Sequence, residues 1–249
     1  MTDTTATSLF DHGDVYEAIY RGRGKDYAAE SARIVDLVTE YRPGATSLLD
    51  VACGPASHLV HLAPHFDRAE GIDLSQDMLR VARTRAPGLR FHQGDMRAFD
   101  TGTTYDVVLC LFSSIAYATR TDELDATLRC MARHLNPGGL LVVEPWWFPE
   151  DFLDGHVGAD VITVDGRTIA RISHSTSDAG ATRMDVHYVI ADPEDGIRHF
   201  SDTHRMTLFE RADYEAAIER SGLMGHYLPA EKAGPGLFVA VRPARASAA

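Results

Sequence analysis

Apolar residues in this chain gather in short runs that end in small or acidic residues, with amphipathic stretches between them. Leu48, Leu49 and Val51 form the first run, which carries Asp50 and breaks into a small-residue turn at Ala52–Ala56. From Ser57 the chain can continue as helix at least as far as Pro64. Further runs predict strands at Ala69–Asp73, Arg90–Gln93, Tyr105–Phe112 and Leu140–Glu144, the last after a helix-ending Asn136-Pro-Gly-Gly. Between them, Gln76–Arg85 and Thr121–Leu135 have helical spacing, with Thr121 as the expected N-cap. Strand and helix in alternation, joined by right-handed crossovers, predict a parallel sheet with helices on both faces. Its ligand crevice lies at the carboxyl ends of the strands, where the strand order reverses.

The ends of the chain read differently. Val15, Tyr16, Ile19 and Tyr20 have helical spacing, RGRGK interrupts, and Asp26–Tyr41 is a second amphipathic helix. The first piece is either a surface helix with a glycine hinge or a lid that turns tyrosines inward over a ligand. After Pro145 the chain becomes aromatic and loop-like, then carries Asp165-Gly166, a two-residue hairpin signal. Two more strands flank Asp192–Gly196. Glu210–Ser221 is helical and ends at Gly222, and 225–229 with 236–242 make a closing antiparallel pair. The expected organisation is therefore a helical lid at 1–44, an α/β core at 45–145, a small antiparallel lobe at 146–208, and closing elements at 209–249 with a frayed tail.

Composition narrows the class. A length of 249 residues with 45% hydrophobic content supports a full core. The formal net charge of -12 argues against nucleic acid and against an anionic membrane surface. Three widely spaced cysteines, Cys53, Cys110 and Cys130, read as reduced thiols in a cytoplasm. No signal peptide and no run of membrane-spanning length is visible. His61 and His65 are four apart, but Pro64 breaks the helix that would align them with His58, so no metal is expected.

The candidate chemistry sits at the strand ends. Small residues at Ala52, Gly54 and Ala56 let a ligand approach the backbone. Asp73, at the end of the second strand, suits a ribose diol, with Ser75 free to cap the next helix. Asp95 and Met96 would flank an adenine, as acceptor and as soft packing. Tyr117 and Glu144 lie just beyond strand ends on the same face, where a carboxylate could stabilise developing positive charge or simply hold a backbone N–H. Trp146 and Trp147 could wall a pocket or plug a joint.

LLDVACGPASH, EGIDLS, GDMRAF and LNPGGLLVVEP together resemble the cofactor domain of class I S-adenosylmethionine-dependent methyltransferases over about residues 45–145. That family's three motif glycines fall at Ala52, Gly54 and Ala56, two of them alanine here. YRGRGKDYAAE, FSSIAY, VVEPWWFPE, DGRTIARISHS and ATRMDVHY resemble the nucleotide-linked aminosugar N,N-dimethyltransferases of antibiotic deoxysugar pathways over nearly the whole chain. The resemblance implies S-adenosyl-L-methionine as cofactor, a dTDP-linked amino-deoxyhexose as substrate, two methylations of its amine, and a homodimer. It implies cofactor contacts from Tyr16, Tyr27, Leu74, Met78 and Cys110 beside the residues above. For the substrate it implies Tyr20, Trp146, Trp147, Ser173 and His174, with Arg171 or Arg183 as phosphate contacts because Gly234-Pro235-Gly236 lacks the arginine relatives carry there. Tyr117 stands where some relatives have a histidine, so a histidine at that position cannot be the base.

Amine methylation fits this sparse set of bases. A neutral amine is already nucleophilic, and holding the reactants in line can account for about 7 kcal/mol or more of barrier reduction. The competing readings are an O- or C-methyltransferase, which would share every cofactor residue, and a nicotinamide dehydrogenase, against which the turn lacks G-x-G-x-x-G. A silent cofactor-binding partner protein is the third.

Overall fold

The computed structural model describes residue 9, residues 13–230 and residues 234–244. The expected frayed tail falls mostly outside these residues. Two helices open the chain, α1 (Gly13–Gly22) and α2 (Tyr27–Tyr41), the second capped by Asp26, whose carboxylate accepts from the Ala29 N–H. Then come β1 (Ser47–Val51), the short α3 (Leu59–Leu62) running into a 3-10 turn at Ala63–His65, β2 (Arg68–Asp73), α4 (Gln76–Arg85), β3 (Arg90–Gln93), β4 (Tyr105–Cys110), α5 (Thr121–Arg133) and β5 (Leu135–Val143). Next follow β6 (His156–Val164), β7 (Arg167–Asp178), β8 (Ala181–Asp192), β9 (Gly196–Thr207), α6 (Arg211–Arg220), β10 (Met224–Leu228) and β11 (Leu237–Val241).

The first sheet has seven strands in the order β10-β11-β5-β4-β1-β2-β3. β3, β2, β1, β4 and β5 run parallel, and β11 enters antiparallel between β5 and β10. The order reverses between β1 and β4, both fully buried strands, and the rim there is the natural ligand site. Apolar clusters cover both faces: Tyr105, Val108, Leu128, Met131, Tyr214 and Phe238 belong to one, Leu48, Leu59, Val107, Leu109 and Val142 to the other. The second sheet is an antiparallel meander, β6-β7-β8-β9, turned at Asp165-Gly166 as the hairpin signal predicts. Its inner residues Ile169, Val186, Tyr188 and Ile190 pack on Val15, Ala18 and Ile19 of α1.

Three local expectations are corrected. Asn136-Pro-Gly-Gly does not end a helix: α5 stops at Arg133, and the motif lies inside β5 as an irregularity between Tyr105 and Val107 of the partner strand. It is held there because Gly138 donates to the Arg242 carbonyl and Arg242 donates to the Gly139 carbonyl. Thr121 is the first helical residue rather than the cap; Glu123 instead reaches back to the backbone N–H of Thr119 at 2.8 Å. The helix expected from Ser57 begins at Leu59 and is a single turn.

Candidate active site

The carboxyl ends of the parallel strands open on a cavity of about 690 Å³, within the range of cofactor pockets. The chain after β1 forms its floor. Ala52, Gly54 and Ala56 all take left-handed backbone, with φ of 58°, 54° and 64°. For alanine this costs on the order of 1 kcal/mol each, so the turn is held against its own preference. A Cβ added to Gly54 would meet no protein atom within 4 Å and would project into open space beside the cavity it lines. The floor is a cradle that a side chain would fill.

Asp73 joins this turn to the end of β2. Its carboxylate accepts from the Gly54 N–H and from the Ser75 N–H, both at 2.8 Å, while Ser75 Oγ caps α4 at the Met78 N–H. Burial raises the Asp73 carboxyl above its ordinary value although these backbone bonds oppose it. Leu74, Met78, Asp95 and Met96 complete this side of the cavity, and Tyr16 closes it from α1. Asp95 is already paired: Arg97 Nη2 donates to it at 2.6 Å and Nε at 2.9 Å, which lowers its carboxyl, and Arg97 also reaches Glu123 at 3.2 Å.

A smaller pocket adjoins, lined by Tyr27, Asp50, His58 and Phe112 among others. Burial pushes the Asp50 carboxyl up to about 7, opposed by His58 and reinforced by Asp73. Tyr27 Oη is buried, which raises its phenol well above the ordinary value, and hydrogen bonding with Ser57 opposes that rise. Phe112 and Ser113 continue β4 in left-handed backbone, φ 56° and 60°. Glu144 accepts from the Phe112 N–H at 2.7 Å and Ser113 Oγ donates to the Pro145 carbonyl at 2.7 Å, so two bonds hold this bend. The Phe112 ring meets Tyr20 edge-on at 4.9 Å and lies 4.0 Å beneath Lys25 Nζ. Glu144 thus shapes the rim through backbone, with burial raising its carboxyl.

Tyr117 lines the cavity and its hydroxyl meets His204 Nδ1 of β9 at 2.9 Å. Arg171 and Ser173 face inward on β7: the guanidinium donates to Ser173 Oγ at 2.9 Å, has Asp160 at 3.8 Å, and keeps a buried Nε with no partner among the described residues. Trp146 and Trp147 meet edge to face at 6.3 Å, the Trp146 indole N–H buried and likewise without a partner there.

Tyr20, Glu144, Trp146, Trp147, Arg171 and Ser173 are not among the residues lining the cavity, and three further expected residues stand away from it. Cys110 is fully buried in the core cluster behind β4 and is not part of the cavity wall. His174 is exposed on the outer face of β7, because successive strand residues point to opposite faces and Arg171 and Ser173 take the inner one. Arg183 lies on the outer face of β8, where it pairs with Asp185 at 3.0 Å. Sequence reasoning missed His204 with Asp202, and the chain from Lys25 through Glu30 to His58, joined at 2.8 and 2.7 Å. Inward parity on β9, shared with Met206, was the available signal for His204.

A parallel sheet whose first turn is tied to an acidic residue at the end of the second strand, closed by an antiparallel β11, defines a class I S-adenosylmethionine-dependent methyltransferase. Residues 48–139 match the family model described as a methyltransferase domain. The dTDP-3-amino-3,4,6-trideoxy-alpha-D-glucopyranose N,N-dimethyltransferase of Streptomyces venezuelae is 54% identical over 93% of this chain and 98% of its own length. The chain belongs to the dTDP-aminosugar N,N-dimethyltransferase family. The crystal structure of Streptomyces venezuelae DesVI superposes with a TM-score of 0.90 at 54% identity, covering 94% of this chain and 98% of that one. SAM-bound CalS10, an amino pentose methyltransferase from Micromonospora echinaspora, gives 0.84 at 46% identity over 92% and 96%.

Proposed function

We propose that this enzyme dimethylates the amino group of a dTDP-linked amino-deoxyhexose, in two successive in-line transfers catalysed mainly by orientation. Tyr117 lines the cavity while its hydroxyl is bonded to His204 on the inner face of the second sheet, and this observation carries the reading. The relatives' substrates supply the sugar class. When bound, S-adenosylmethionine supplies an electrophilic methyl group on a sulfonium centre. Asp73 would hold its ribose hydroxyls, Met96 and the Asp95–Arg97 pair its adenine, and the Ala52–Ala56 turn its methionine portion. The division of labour follows the chain: the two helices within 1–44 close over the cofactor, 45–145 hold it, 146–208 present the sugar, and α6, β10 and β11 within 209–249 complete the core.

Tyr16, Tyr20, Phe112 and Tyr117 supply aromatic rings beside the cavity, and Glu144 fixes the Phe112 corner. Tyr20, Trp146, Trp147, Arg171 and Ser173 would steer the sugar nucleotide, Arg171 by its buried positive charge. Such positioning supplies most of the rate without a strong base. Incubation with S-adenosylmethionine and a panel of dTDP-3-amino and dTDP-4-amino sugars tests the reading. Mass spectrometry should find mono- then dimethylated product from at least one sugar, and no methylated product from any of them refutes it.

The enzyme works as a cytoplasmic homodimer in this reading. The cysteines Cys53, Cys110 and Cys130 are all unpaired, which suits a reducing compartment. The outer face of the second sheet exposes Val157, Val161, Ile172, Val189 and Ile197, five apolar side chains spread over its four strands. A symmetric partner would cover them, and Val161→Glu with Ile172→Glu should convert a dimer to a monomer in light scattering.

A further inference from the structure

We propose that Tyr117, His204 and Asp202 form a relay that carries the proton off the substrate's amine between the two methylations. The inference rests on the aminosugar reading and adds what orientation alone leaves open. A primary amine that has accepted one methyl group is an ammonium, and it cannot attack again until an N–H bond breaks and its electron pair is restored.

The geometry supplies a path. Tyr117 lines the cavity, and its hydroxyl lies 2.9 Å from Nδ1 of His204. On the far side of the ring, Nε2 stands 3.8 Å from an Asp202 carboxylate oxygen, which also accepts from the Leu9 N–H at 2.7 Å. β9 is fastened to the Tyr117 segment by Thr207 Oγ1, which donates to the Ala118 carbonyl at 2.7 Å, so the distance is set by the joint between the sheets. Among the described residues, the groups that act on His204 include Tyr117 from the segment after β4, Asp202 from its own strand and Arg171 from β7, while Tyr188 from β8 and Tyr20 from α1 act on Tyr117.

The protonation states fit the direction of transfer. Burial holds the Tyr117 phenol far above its ordinary value, so it keeps its proton, and with the ring proton on Nε2 toward Asp202 the phenol donates to Nδ1. Burial also pushes the His204 imidazole down, with Arg171 adding to that and Asp202 opposing it. The ring therefore starts neutral. In the step, the ammonium N–H breaks and a bond forms to Tyr117 Oη as the phenolic proton moves to Nδ1. The electron pair stays on the amine nitrogen, and the ring becomes an imidazolium paired with Asp202. A ring with a depressed pKa does not keep the charge: it releases the Nε2 proton to water at the Asp202 edge, and exchange with water that takes the Nδ1 proton and returns one to Nε2 restores the starting tautomer. No oxidant, reductant or further reactant enters. His204 acts through Tyr117 and is a positioning residue rather than a catalytic one.

The test uses the monomethylamino sugar nucleotide as substrate and the full-length enzyme, with Tyr117→Phe and His204→Gln. Near pH 7, where the amine arrives protonated, each variant should lose about 10²-fold in kcat and accumulate monomethyl product in a reaction begun from the primary amine. Above the amine's own pKa the loss should shrink to a few-fold. Calorimetry should give wild-type affinity for S-adenosylhomocysteine, which shows the variants are folded. As a readout apart from turnover, the His204 ring nitrogen signals should shift in Tyr117→Phe as Nδ1 loses its donor. A loss that is the same at every pH, or no loss, or ring signals unmoved by Tyr117→Phe overturns the relay. Wild-type enzyme that methylates no aminosugar overturns the underlying reading, a result distinguishable from all three.

Discussion

The two ends of the seven-stranded sheet both bury carboxylates, and they treat them in opposite ways. At the amino-terminal edge, Asp106 at the start of β4 is saturated: it accepts from Arg42 at 2.9 Å, the Thr46 N–H and Ser47 Oγ at 3.0 Å, and Asn136 at 3.1 Å. These donors hold its carboxyl far below the usual range even though burial opposes them. At the carboxyl rim, Asp50, Asp73 and Glu144 are all raised by burial, with too few donors to offset it. A carboxylate satisfied by the protein stabilises the fold, whereas one left short of donors has capacity for a ligand that brings its own. The contrast separates the residues that stabilise this fold from those that make it an enzyme.

The most direct way to break that comparison is Asp73→Ala. Two charge-assisted hydrogen bonds to a ribose diol are worth about 3–4 kcal/mol together, so affinity for S-adenosylhomocysteine should fall about 10²–10³-fold in calorimetry. Thermal stability of the free enzyme should change far less, since the groups that lose their acceptor are backbone donors of the adjoining turns. A cofactor affinity within threefold of wild type would remove Asp73 from the site.

Asp106→Ala is the converse. It strips the acceptor from Arg42, Asn136 and two hydroxyls at once, and should cost about 2–3 kcal/mol in denaturant unfolding. Cofactor affinity of the folded protein should not move. The depressed carboxyl also sets a sign: its contribution is present above the ordinary value of 3.8 and is lost as pH falls below it, so the variant should flatten the acid limb of the stability curve.

Legibility in the sequence divides along the same lines of distance. The Ala52–Ala56 turn and Asp73 lie about 20 residues apart in a strand–turn–helix–strand unit, where local spacing alone brings them together, and Asp165-Gly166 is a hairpin by its own backbone preference. Asn136-Pro-Gly-Gly reads locally as a stop, yet it pairs with Arg242, more than a hundred residues on, and that pairing prevails. Tyr117 and His204 are 87 residues apart and meet only once the second sheet docks. His174 and Arg183 are a different kind of miss. Taking His174 with Arg171 and Ser173 ignores the alternation of a strand, which puts the first on the outside whenever the others are inside.

Asp50→Asn sharpens the rim half of the contrast. The Asp50 carboxyl is raised from 3.8 to about 7, so the folded state favours its protonated form. Its contribution is fully present below the ordinary value and is lost as pH rises toward about 7, at up to about 1.4 kcal/mol per pH unit. The free asparagine variant should therefore melt higher than wild type at pH 8 by an amount corresponding to about 1–2 kcal/mol, with the gap closing toward pH 5. A wild-type Tm that is flat between those pH values would show that Asp50 finds donors of its own and belongs with Asp106.

The smallest effect belongs to the floor of the cavity, and it tests whether the rim tolerates strain because a ligand needs the shape. Ala52 sits at φ 58°, a conformation that costs an alanine about 1 kcal/mol and a glycine almost nothing. Glycine, however, adds about 0.4–1 kcal/mol of unfolded-state entropy, so Ala52→Gly should leave stability within about 0.5 kcal/mol of wild type. Its methyl group lines the cavity, and removing it lets a ligand settle closer to the backbone, so S-adenosylhomocysteine affinity should stay level or rise by a few-fold. Gly54→Ala at the next left-handed position should do the reverse, because its new Cβ projects into the cradle and carries the same strain. Equal effects of the two substitutions on affinity would mean that the turn is held for packing alone, and that the rim's unmet carboxylates, rather than its backbone, do the recognising.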